Sequence, residues 1–211
     1  TCALPILGRF KVTLGGAAKD LSREVAIRAV QIEKKFSNNK IGLHQVSFDI
    51  PSKALVAVMG PSGCGKSTLL KALNGGAPAS SGAVFICGLE LRKNFDYLKT
   101  QIGYVPQDDI VHPQLTVEQS LRYAAKLRLQ NATQKQIEQK IEYILQTLRI
   151  DHIRHNQVGK ISGGQRKRVS IAVEILNDPL ILFLDEPTSP LDPQTIEEFL
   201  SSLKKIGRAH V

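Results

Sequence analysis

The sequence predicts an α/β fold built around a phosphate-binding loop, and three observations support this prediction. A continuous apolar run, Ala54–Gly60, is typical of a parallel strand that is buried on both faces. The run leads into the glycine-rich stretch "GPSGCGKST" (Gly60–Thr68) and then into a helical pattern, Lys66–Asn74. A second apolar run, "LILFL" (Leu180–Leu184), ends at two adjacent carboxylates. Strands and helices that alternate in this way indicate a layered α/β core.

The other strands follow from short apolar or alternating segments. Ahead of the phosphate loop we predict strands over Val25–Glu33 and Gln45–Ile50. Beyond the loop, "SGAVFICG" (81–88) and "IGYVPQ" (102–107) predict two more strands.

Helices are predicted where apolar residues recur three and four positions apart. The first begins near Thr116 and the second carries a stripe of isoleucine and leucine; we interpret both stripes as packing faces without a ligand. Further helices are predicted over Gln165–Leu176 and, after the strand "PLILFLDE", over Gln194–Lys205. The two stripes consist of Leu121, Ala124, Ala125, Leu127 and Leu129, and of Ile137, Ile141, Ile144, Leu145 and Leu148.

The composition is that of an ordinary globular chain of 211 residues, with 42% hydrophobic and 22% charged residues. The net charge of +9 indicates either contact with a polyanion or a solvated basic surface, and both alternatives stay open. Three unclustered cysteines, Cys2, Cys64 and Cys87, argue against a disulfide framework and a zinc site, and favour a reducing cytosol. The longest apolar runs are strand-length, far below the roughly 20 residues of a membrane span.

The phosphate loop fits the pattern G-x-x-x-x-G-K-[ST], and it lies between a predicted strand and a helix, as its mechanism requires. Its glycines allow backbone N–H groups to surround the phosphates. We expect Lys66 to reach the β- and γ-phosphates and the Ser67 hydroxyl to hold Mg²⁺.

The stretch "LILFLDEPT" (Leu180–Thr188) ends an apolar strand with two carboxylates, a poor place for unpaired charge unless a cation is present. Asp185 is predicted to act on Mg²⁺ through its water shell. Glu186 is predicted to orient or deprotonate the attacking water. The alternative is an ordinary Asp-Glu pair at the start of a loop.

The stretch "KISGGQRKRVSIA" (Lys160–Ala172) places Ser162, Gly163 and Gly164 at the start of a predicted helix. Backbone N–H groups and the positive end of the helix dipole favour an anion there, so the stretch predicts a second phosphate-binding turn. We interpret the basic cluster Arg166–Arg168 as a solvated helix face rather than as a direct phosphate contact.

The phosphate loop, "ISGGQ" and "LDEPT", in this order, resemble the motifs of the ATP-binding cassette (ABC) ATPases, and the resemblance covers nearly the whole chain. Ile161 is a conservative departure from the leucine that usually begins the family signature. The resemblance implies a P-loop NTPase core of ABC ATPase type, with an antiparallel β subdomain and an inserted α-helical subdomain. It also implies ATP and Mg²⁺ as ligands.

The same resemblance assigns roles to individual residues. Gln107, which ends "GYVPQ", matches the family's glutamine loop, which senses Mg²⁺ and the attacking water. Phe36 lies where the family stacks an aromatic residue on adenine, with a core aromatic as the alternative. The implied catalytic residues are Glu186, Lys66 and Gln107, and the implied metal ligands are Ser67, Gln107 and Asp185. The implied ATP-binding residues are Phe36, Gly60, Pro61, Ser62, Gly63, Cys64, Gly65, Lys66, Ser67 and Thr68.

Cassettes of this family pack head to tail in pairs, and the signature of one completes the nucleotide site of the other. The resemblance therefore implies that Ser162, Gly163, Gly164 and Gln165 contact the γ-phosphate that is held by the partner's Lys66. The loop "SPLDP" (189–193) resembles the family's loop that crosses the dimer interface.

Two longer stretches, residues 107–129 and 158–176, look most like the G-type (White-like) half-transporters and their bacterial relatives. In those proteins a membrane permease follows the cassette, which implies a fused permease, a position at the cytoplasmic face of the membrane and no nucleic-acid partner. The segment Asp108–Gln119 would then receive the permease's coupling helix. The alternatives are a soluble cassette acting on nucleic acid or the ribosome, and a nucleotide-binding fragment without turnover.

The predicted domain boundaries place the first part of the ATP-binding core at 7–107, a helical signature subdomain at 108–160, and the signature motif with the rest of the core at 161–205. One oligonucleotide read from both strands can encode "TCALPI" (1–6) and "IGRAHV" (206–211), so both ends are expected to be non-native. The alternative is a short natural protein. His210 lies too close to the last helix to be the family's switch histidine. We therefore expect this chain alone to be poorly active.

Overall fold

The computed structural model describes residues 25–37, 40–129 and 131–187, together with the backbone of two short strands near the N-terminus and the helical positions Ile196 and Ser201. The chain divides into two compact units, Thr1–Lys99 and Thr100–Val211. Several sequence predictions lie outside the described residues: both terminal hexapeptides, Thr188, the loop 189–193, His210 and the helix 194–205 apart from its two helical positions.

In its described residues, the first unit contains an antiparallel sheet in the order β4-β3-β5-β6 and two helices. Its main sheet confirms the strands predicted near residues 25–33, 45–50 and 81–88. The elements are β1 (Phe10–Lys11), β2 (Lys19–Asp20), β3 (Val25–Lys35), β4 (Ile41–Pro51), α1 (Lys66–Asn74), β5 (Ser81–Ile86), β6 (Leu89–Glu90) and α2 (Phe95–Leu98).

Strand β3 carries a β-bulge at Gln31, which sets the buried face of the sheet. Ala29 pairs with Phe48 and Ile32 pairs with Val46, so β3 has one extra residue between these two pairs. Gln31 takes a left-handed backbone with φ 47°, and its N–H donates to the Ser47 hydroxyl at 2.7 Å. The extra residue returns Ile32 to the face that buries Ile27 and Ala29.

The prediction of a buried parallel strand over Ala54–Gly60 is wrong in this structure. The segment has no strand assignment, and Leu55, Val56, Val58 and Met59 are exposed, Met59 by 89%. An apolar run is protected on both faces only where strands pair with both of its edges. The sheet of the first unit is formed without this segment, which pairs with none of the described strands.

Over residues 100–129 and 131–187, the second unit combines a parallel strand pair with three helices and two 3₁₀ turns. Strands β7 and β8 pair in parallel from Ile102 opposite Ile181 to Val105 opposite Leu184. The helices predicted near Thr116, Ile137 and Gln165 are all present. The elements are β7 (Ile102–Val105), α3 (Val117–Arg128), α4 (Gln134–Thr147), 3₁₀ turns at Asp151–Ile153 and Val158–Lys160, α5 (Gly163–Ile175) and β8 (Ile181–Leu184).

Local capping signals explain where α3 and α4 begin. The side chains of Thr116 and Thr133 each accept a hydrogen bond from the backbone N–H three residues on. The side chains of Gln119 and Gln136 accept a hydrogen bond from the threonine N–H in turn, which completes a capping box at each helix. Both predicted stripes pack into one core with α5, with one exception: Leu127 is 77% exposed. Leu127 lies six residues after Leu121, about 120° around the helix from it, and so misses the buried face.

Within the part of the chain that the structure describes, no helix combines the length and the apolar character needed to cross a bilayer.

Candidate nucleotide-binding and catalytic site

The phosphate loop wraps around the N-terminus of α1 and depends on glycine at two positions. Gly63 and Gly65 have φ of 78° and 99°, a left-handed conformation that side chains disfavour. A Cβ at Gly65 would also lie 2.8 Å from the carbonyl oxygen of Gly42. The Lys66 ammonium donates to the carbonyl oxygens of Gly60 at 3.0 Å and Pro61 at 2.9 Å. The lysine is therefore held over the loop that it is predicted to serve.

The first turn of α1 has the electrostatics of an anion site. The helical ladder begins with Leu69 N–H donating to Gly65 at 2.8 Å, so the N–H groups of the preceding residues point out of the helix end. The first turn has no acidic residue that would compete with a phosphate. The helix dipole and these N–H groups together favour negative charge at this end.

Phe36 lies close to the phosphate loop through one residue of β4. A Cβ at Gly42 would lie 2.3 Å from the Phe36 ring, and a Cβ at Gly65 would lie 2.8 Å from the Gly42 carbonyl oxygen. Phe36 is 44% exposed, so the alternative of a core aromatic is wrong. Stacking on adenine stays a prediction, and the exposed ring beside the loop is compatible with it.

Asp185 lies at the end of β8 and is only 4% exposed. Its N–H donates to the Val105 carbonyl at 2.9 Å, and its Oδ2 accepts a hydrogen bond from the Tyr104 hydroxyl at 3.3 Å. Partial burial raises the pKa of Tyr104, and the Asp185 charge and this hydrogen bond raise that pKa further. The tyrosine hydroxyl therefore keeps its proton and remains a donor.

Gln107 and Glu186 come together in the second unit, although 79 positions separate them. Gln107 Nε2 donates to Glu186 Oε2 at 3.0 Å. Glu186 has a left-handed backbone with φ 48°, an uncommon conformation for a residue other than glycine. Such conformations cost free energy, on the order of 1 kcal/mol, and cluster at functional sites. The structure thus joins two of the three predicted catalytic residues.

The signature turn forms the N-terminus of α5. Ser162 is the N-cap: its Oγ accepts a hydrogen bond from Gln165 N–H at 3.2 Å, and its own N–H donates to Gln165 Oε1 at 3.0 Å. Gly163 and Gly164 supply the first-turn N–H groups. A hydroxyl that accepts one bond still has its own O–H donor. Gln165 has a capping role that the sequence predictions did not include.

The interpretation of Arg166–Arg168 as a solvated helix face is wrong for two of its three residues. Lys167 and Arg168 are 2% and 8% exposed. Lys167 donates to the carbonyls of Pro106 and Gln107, and Arg168 donates to Leu148 at 3.0 Å. Apolar residues lie on several sides of α5, so the helix has no broad solvated face. This spread of apolar residues is visible in the sequence and could have indicated that Lys167 and Arg168 are buried.

The side chains at the predicted metal positions are oxygen donors of the kind that Mg²⁺ uses. Within the described ranges, no group of three or more His, Cys, Asp or Glu side chains could hold a metal ion. Mg²⁺ is usually held by one or two carboxylates, by waters and by substrate phosphates. A hydroxyl at Ser67, an amide at Gln107 and the carboxylate of Asp185 are donors of this kind.

A glycine-rich loop at a helix N-terminus and acidic residues at a strand end define a phosphate-loop nucleotide-binding domain. A family model described as "ABC transporter" matches residues 43–189. The chain therefore belongs to the ABC transporter family, whose general activity is ATP hydrolysis. The predicted family and ATPase class are confirmed.

Named relatives agree with this assignment. An ABC transporter ATP-binding/permease protein of Mycobacterium tuberculosis is 41% identical over 172 residues, which cover 81% of this chain and 20% of the relative. ABC transporter G family member 23 of Arabidopsis thaliana is 43% identical over 179 residues, covering 77% of this chain and 28% of that protein. The predicted G-type resemblance is thus confirmed, and the chain spans only 20% to 28% of these relatives.

Solved structures confirm the predicted fold class. The cbiO1 protein of Clostridium perfringens, described as part of the ABC transporter complex cbiONQ, matches with a TM-score of 0.80 and 27% identity, covering 88% of this chain and 75% of that one. A bacterial ABC transporter cassette solved as a dimer matches with a TM-score of 0.77 and 26% identity, over 87% and 84% of the two chains. That cassette has also been solved with ADP and phosphate bound.

Proposed function

We propose that this chain is the ATPase domain of a transporter that hydrolyses MgATP between two cassettes and drives a membrane permease. The observation that carries the proposal is the contact of Gln107 Nε2 with Glu186 Oε2 at 3.0 Å. It places a carboxylate and an amide together where β7 and β8 end, beside the buried Asp185.

In this proposal the phosphate loop holds the triphosphate. Lys66 has three N–H donors, of which two bond to Gly60 and Pro61, and the third would reach a phosphate oxygen. The N–H groups at the start of α1 would bind the same phosphates, and the exposed Phe36 ring would stack on adenine. The residues proposed to hold Mg²⁺ are Ser67, Gln107 and Asp185, and the ion would neutralise phosphate charge.

Glu186 is proposed to be the general base. Its Oε2 accepts a hydrogen bond from the Gln107 amide, so Oε1 is the oxygen that would take a proton from water. Gln107 restricts the rotation of the carboxylate and so orients it.

A second copy of the chain would complete each nucleotide site. We propose that Ser162, Gly163 and Gly164 bind the γ-phosphate held by the partner's Lys66, and that Gln165 supports this turn through its cap. The Ser162 O–H and the first-turn N–H groups of α5 are suitable donors. The similar cassette solved as a dimer supports this arrangement.

The permease is proposed to belong to the same protein. The Mycobacterium relative is named as an ATP-binding/permease protein, and this chain spans 20% of it. The cassette would then lie at the cytoplasmic face of a membrane, and the segment 108–119 would receive the permease. Ile110, in that segment, is 61% exposed, which is suitable for an apolar contact.

Replacement of the base tests the proposal. In the full-length protein, which is used for every hydrolysis measurement, Glu186→Gln keeps the size of the side chain and removes the proton acceptor. We therefore expect MgATP hydrolysis to fall at least about a hundredfold while ATP binding persists. Phosphate release and nucleotide titration are measured on the same preparations. Glu138→Gln, at an exposed glutamate of α4, is the matched control. Hydrolysis by Glu186→Gln at the wild-type rate would overturn the proposal.

A further inference from the structure

A buried lysine joins the signature helix to the glutamine loop. Lys167 Nζ donates to Pro106 O at 3.1 Å and to Gln107 O at 2.7 Å, and lies 3.2 Å from Asp109 Oδ1. An ammonium has three N–H donors, and these three acceptors can satisfy all of them. A lysine that is 2% exposed needs such partners, because an unpaired buried charge is strongly unfavourable.

The acceptors lie on both sides of one residue. The carbonyls of Pro106 and Gln107 flank the Gln107 Cα, so the ammonium fixes the backbone from which the amide side chain extends. That side chain in turn bonds to Glu186 at 3.0 Å. A displacement of the Gln107 backbone would therefore move the amide that orients the proposed base.

Asp109 holds the lysine in place. Its Oδ1 also accepts a hydrogen bond from the Ser170 hydroxyl at 3.2 Å, and its Oδ2 lies 3.7 Å from Arg166 Nε. One carboxylate thus contacts three polar side chains of α5, and two of these carry positive charge. We call Asp109, Arg166, Lys167 and Ser170 the Asp109 cluster.

The same helix carries the signature turn at its start. Ser162 and Gln165 form the capping box of α5, and Lys167 follows Gln165 by two residues on one hydrogen-bonded helix. The helix is a rigid connection between the signature turn and Lys167, and Lys167 connects it to Gln107. A movement of the signature turn would therefore reach the glutamine that contacts Glu186.

We propose that Lys167, held by Asp109, is a positioning residue for ATP hydrolysis. It holds the Gln107 backbone so that the Gln107 side chain stays in contact with Glu186, and it connects that backbone to the helix of the signature turn. The proposal rests on the proposed function, because it assigns the contact a role in that reaction. Lys167 is not proposed to contact the nucleotide; it acts through Gln107.

Hydrogen–deuterium exchange tests whether Lys167 anchors the Gln107 backbone, and it needs no ATP hydrolysis. Lys167→Met keeps the aliphatic stem and removes the three donors. We expect amide exchange in peptides covering 106–112 to rise at least about fivefold, with α4 peptides unchanged. Lys126→Met, at an exposed lysine of α3, should change neither region. Unchanged exchange at 106–112 in folded Lys167→Met, or equal acceleration throughout the unit, would overturn the proposal.

If Lys167→Met fails to fold, Asp109→Asn replaces it in the same experiment. Asparagine keeps the shape of the side chain and one oxygen acceptor but removes the charge that holds the ammonium. We expect a smaller acceleration, about twofold, confined to the same peptides. No acceleration, or acceleration throughout the unit, counts against the anchor.

A double-mutant cycle tests the catalytic role. Lys167→Met should lower kcat about tenfold with KM for ATP within about twofold, and should have no further effect in a Gln107→Ala background. If the two substitutions lower kcat by factors that multiply, or if Lys167→Met alone leaves kcat unchanged, Lys167 does not act through Gln107. If Glu186→Gln also hydrolyses ATP normally, the proposed function fails instead, and the exchange measurement alone judges the anchor.

Discussion

The Tyr104 hydroxyl donates to Asp185 Oδ2 at 3.3 Å, and this contact follows from the parallel register of β7 with β8. Val105 lies opposite Leu184 in that register, so the next residue, Asp185, reaches back to Val105 with its N–H at 2.9 Å. The carboxylate proposed to serve Mg²⁺ is therefore oriented by a strand and by a neutral hydroxyl. Removal of that hydroxyl affects both stability at high pH and the site.

Tyr104→Phe should reduce the loss of stability at alkaline pH. The folded-state pKa of Tyr104 is raised above its ordinary value of 10.0, first by partial burial and then by Asp185. Between the ordinary pKa, which applies to the unfolded chain, and the raised pKa of the folded chain, the unfolded chain has lost the proton and the folded chain keeps it. The free energy of unfolding therefore falls as pH rises. Urea unfolding between about pH 9 and 11.5 measures the effect. The expected slope is steeper for wild type than for Tyr104→Phe.

Tyr123→Phe is the control for that measurement, since Tyr123 is exposed on α3 and should leave the slope unchanged. Equal slopes for wild type and Tyr104→Phe would contradict the assigned cause.

Lys66→Met should weaken ATP binding at least about tenfold, because a hydrogen bond from a charged donor contributes about 1.5–3 kcal/mol. Titration with a fluorescent ATP analogue measures the change. Lys71→Met, at an exposed lysine on the same helix, should keep wild-type affinity. If the two variants bind equally well, Lys66 does not contact the phosphates.

Ser162→Asp separates the structural role of the signature serine from its proposed nucleotide contact. Aspartate is as good an N-cap as serine, so the free energy of unfolding should change by less than about 1 kcal/mol. Its charge would repel the partner's γ-phosphate, and hydrolysis should fall at least about a hundredfold. Thr133→Asp makes the comparable change at the cap of α4 and should leave hydrolysis intact. Full hydrolysis by a stable Ser162→Asp protein contradicts the dimer site.

Alkylation of Cys64 should block ATP binding. The thiol is exposed in the phosphate loop, and its Sγ lies 2.7 Å from the position of a Cβ built on Gly60. A group attached to the sulfur would therefore crowd the loop. N-ethylmaleimide treatment followed by ATP titration measures the loss, and bound ATP should protect the thiol. Cys64→Ala, which keeps Cys2 and Cys87, should be insensitive; sensitivity in that variant would place the effect at another cysteine.

Local signals allowed the helices to be predicted well. The predicted bounds of α1, Lys66–Asn74, match the structure because glycines in left-handed conformations, Gly65 and Gly75, flank the helix on both sides. The capping boxes at Thr116 and Thr133 mark the starts of α3 and α4 in the same way. Such signals lie within a few residues of the feature that they specify.

Features that depend on distant residues could not be predicted from local patterns. The apolar run 54–60 suggests a buried strand, but pairing depends on neighbours that the run itself does not encode. The burial of Lys167 depends on carbonyls 60 and 61 positions away. The resemblance identified Gln107, and the two carboxylates at the end of the apolar run identified Glu186, whereas their contact follows from the β7–β8 register.

Mixing two inactive variants tests the shared nucleotide site most directly. Lys66→Met lacks the phosphate lysine and Ser162→Asp lacks a working signature turn, so each alone should be nearly inactive in MgATP hydrolysis. In a mixed dimer, one site combines the intact Lys66 of one copy with the intact Ser162 of the other. Random pairing of equal amounts makes half of the dimers mixed, so roughly a quarter of the wild-type rate should return. A mixture as inactive as its two components would contradict a site shared between copies.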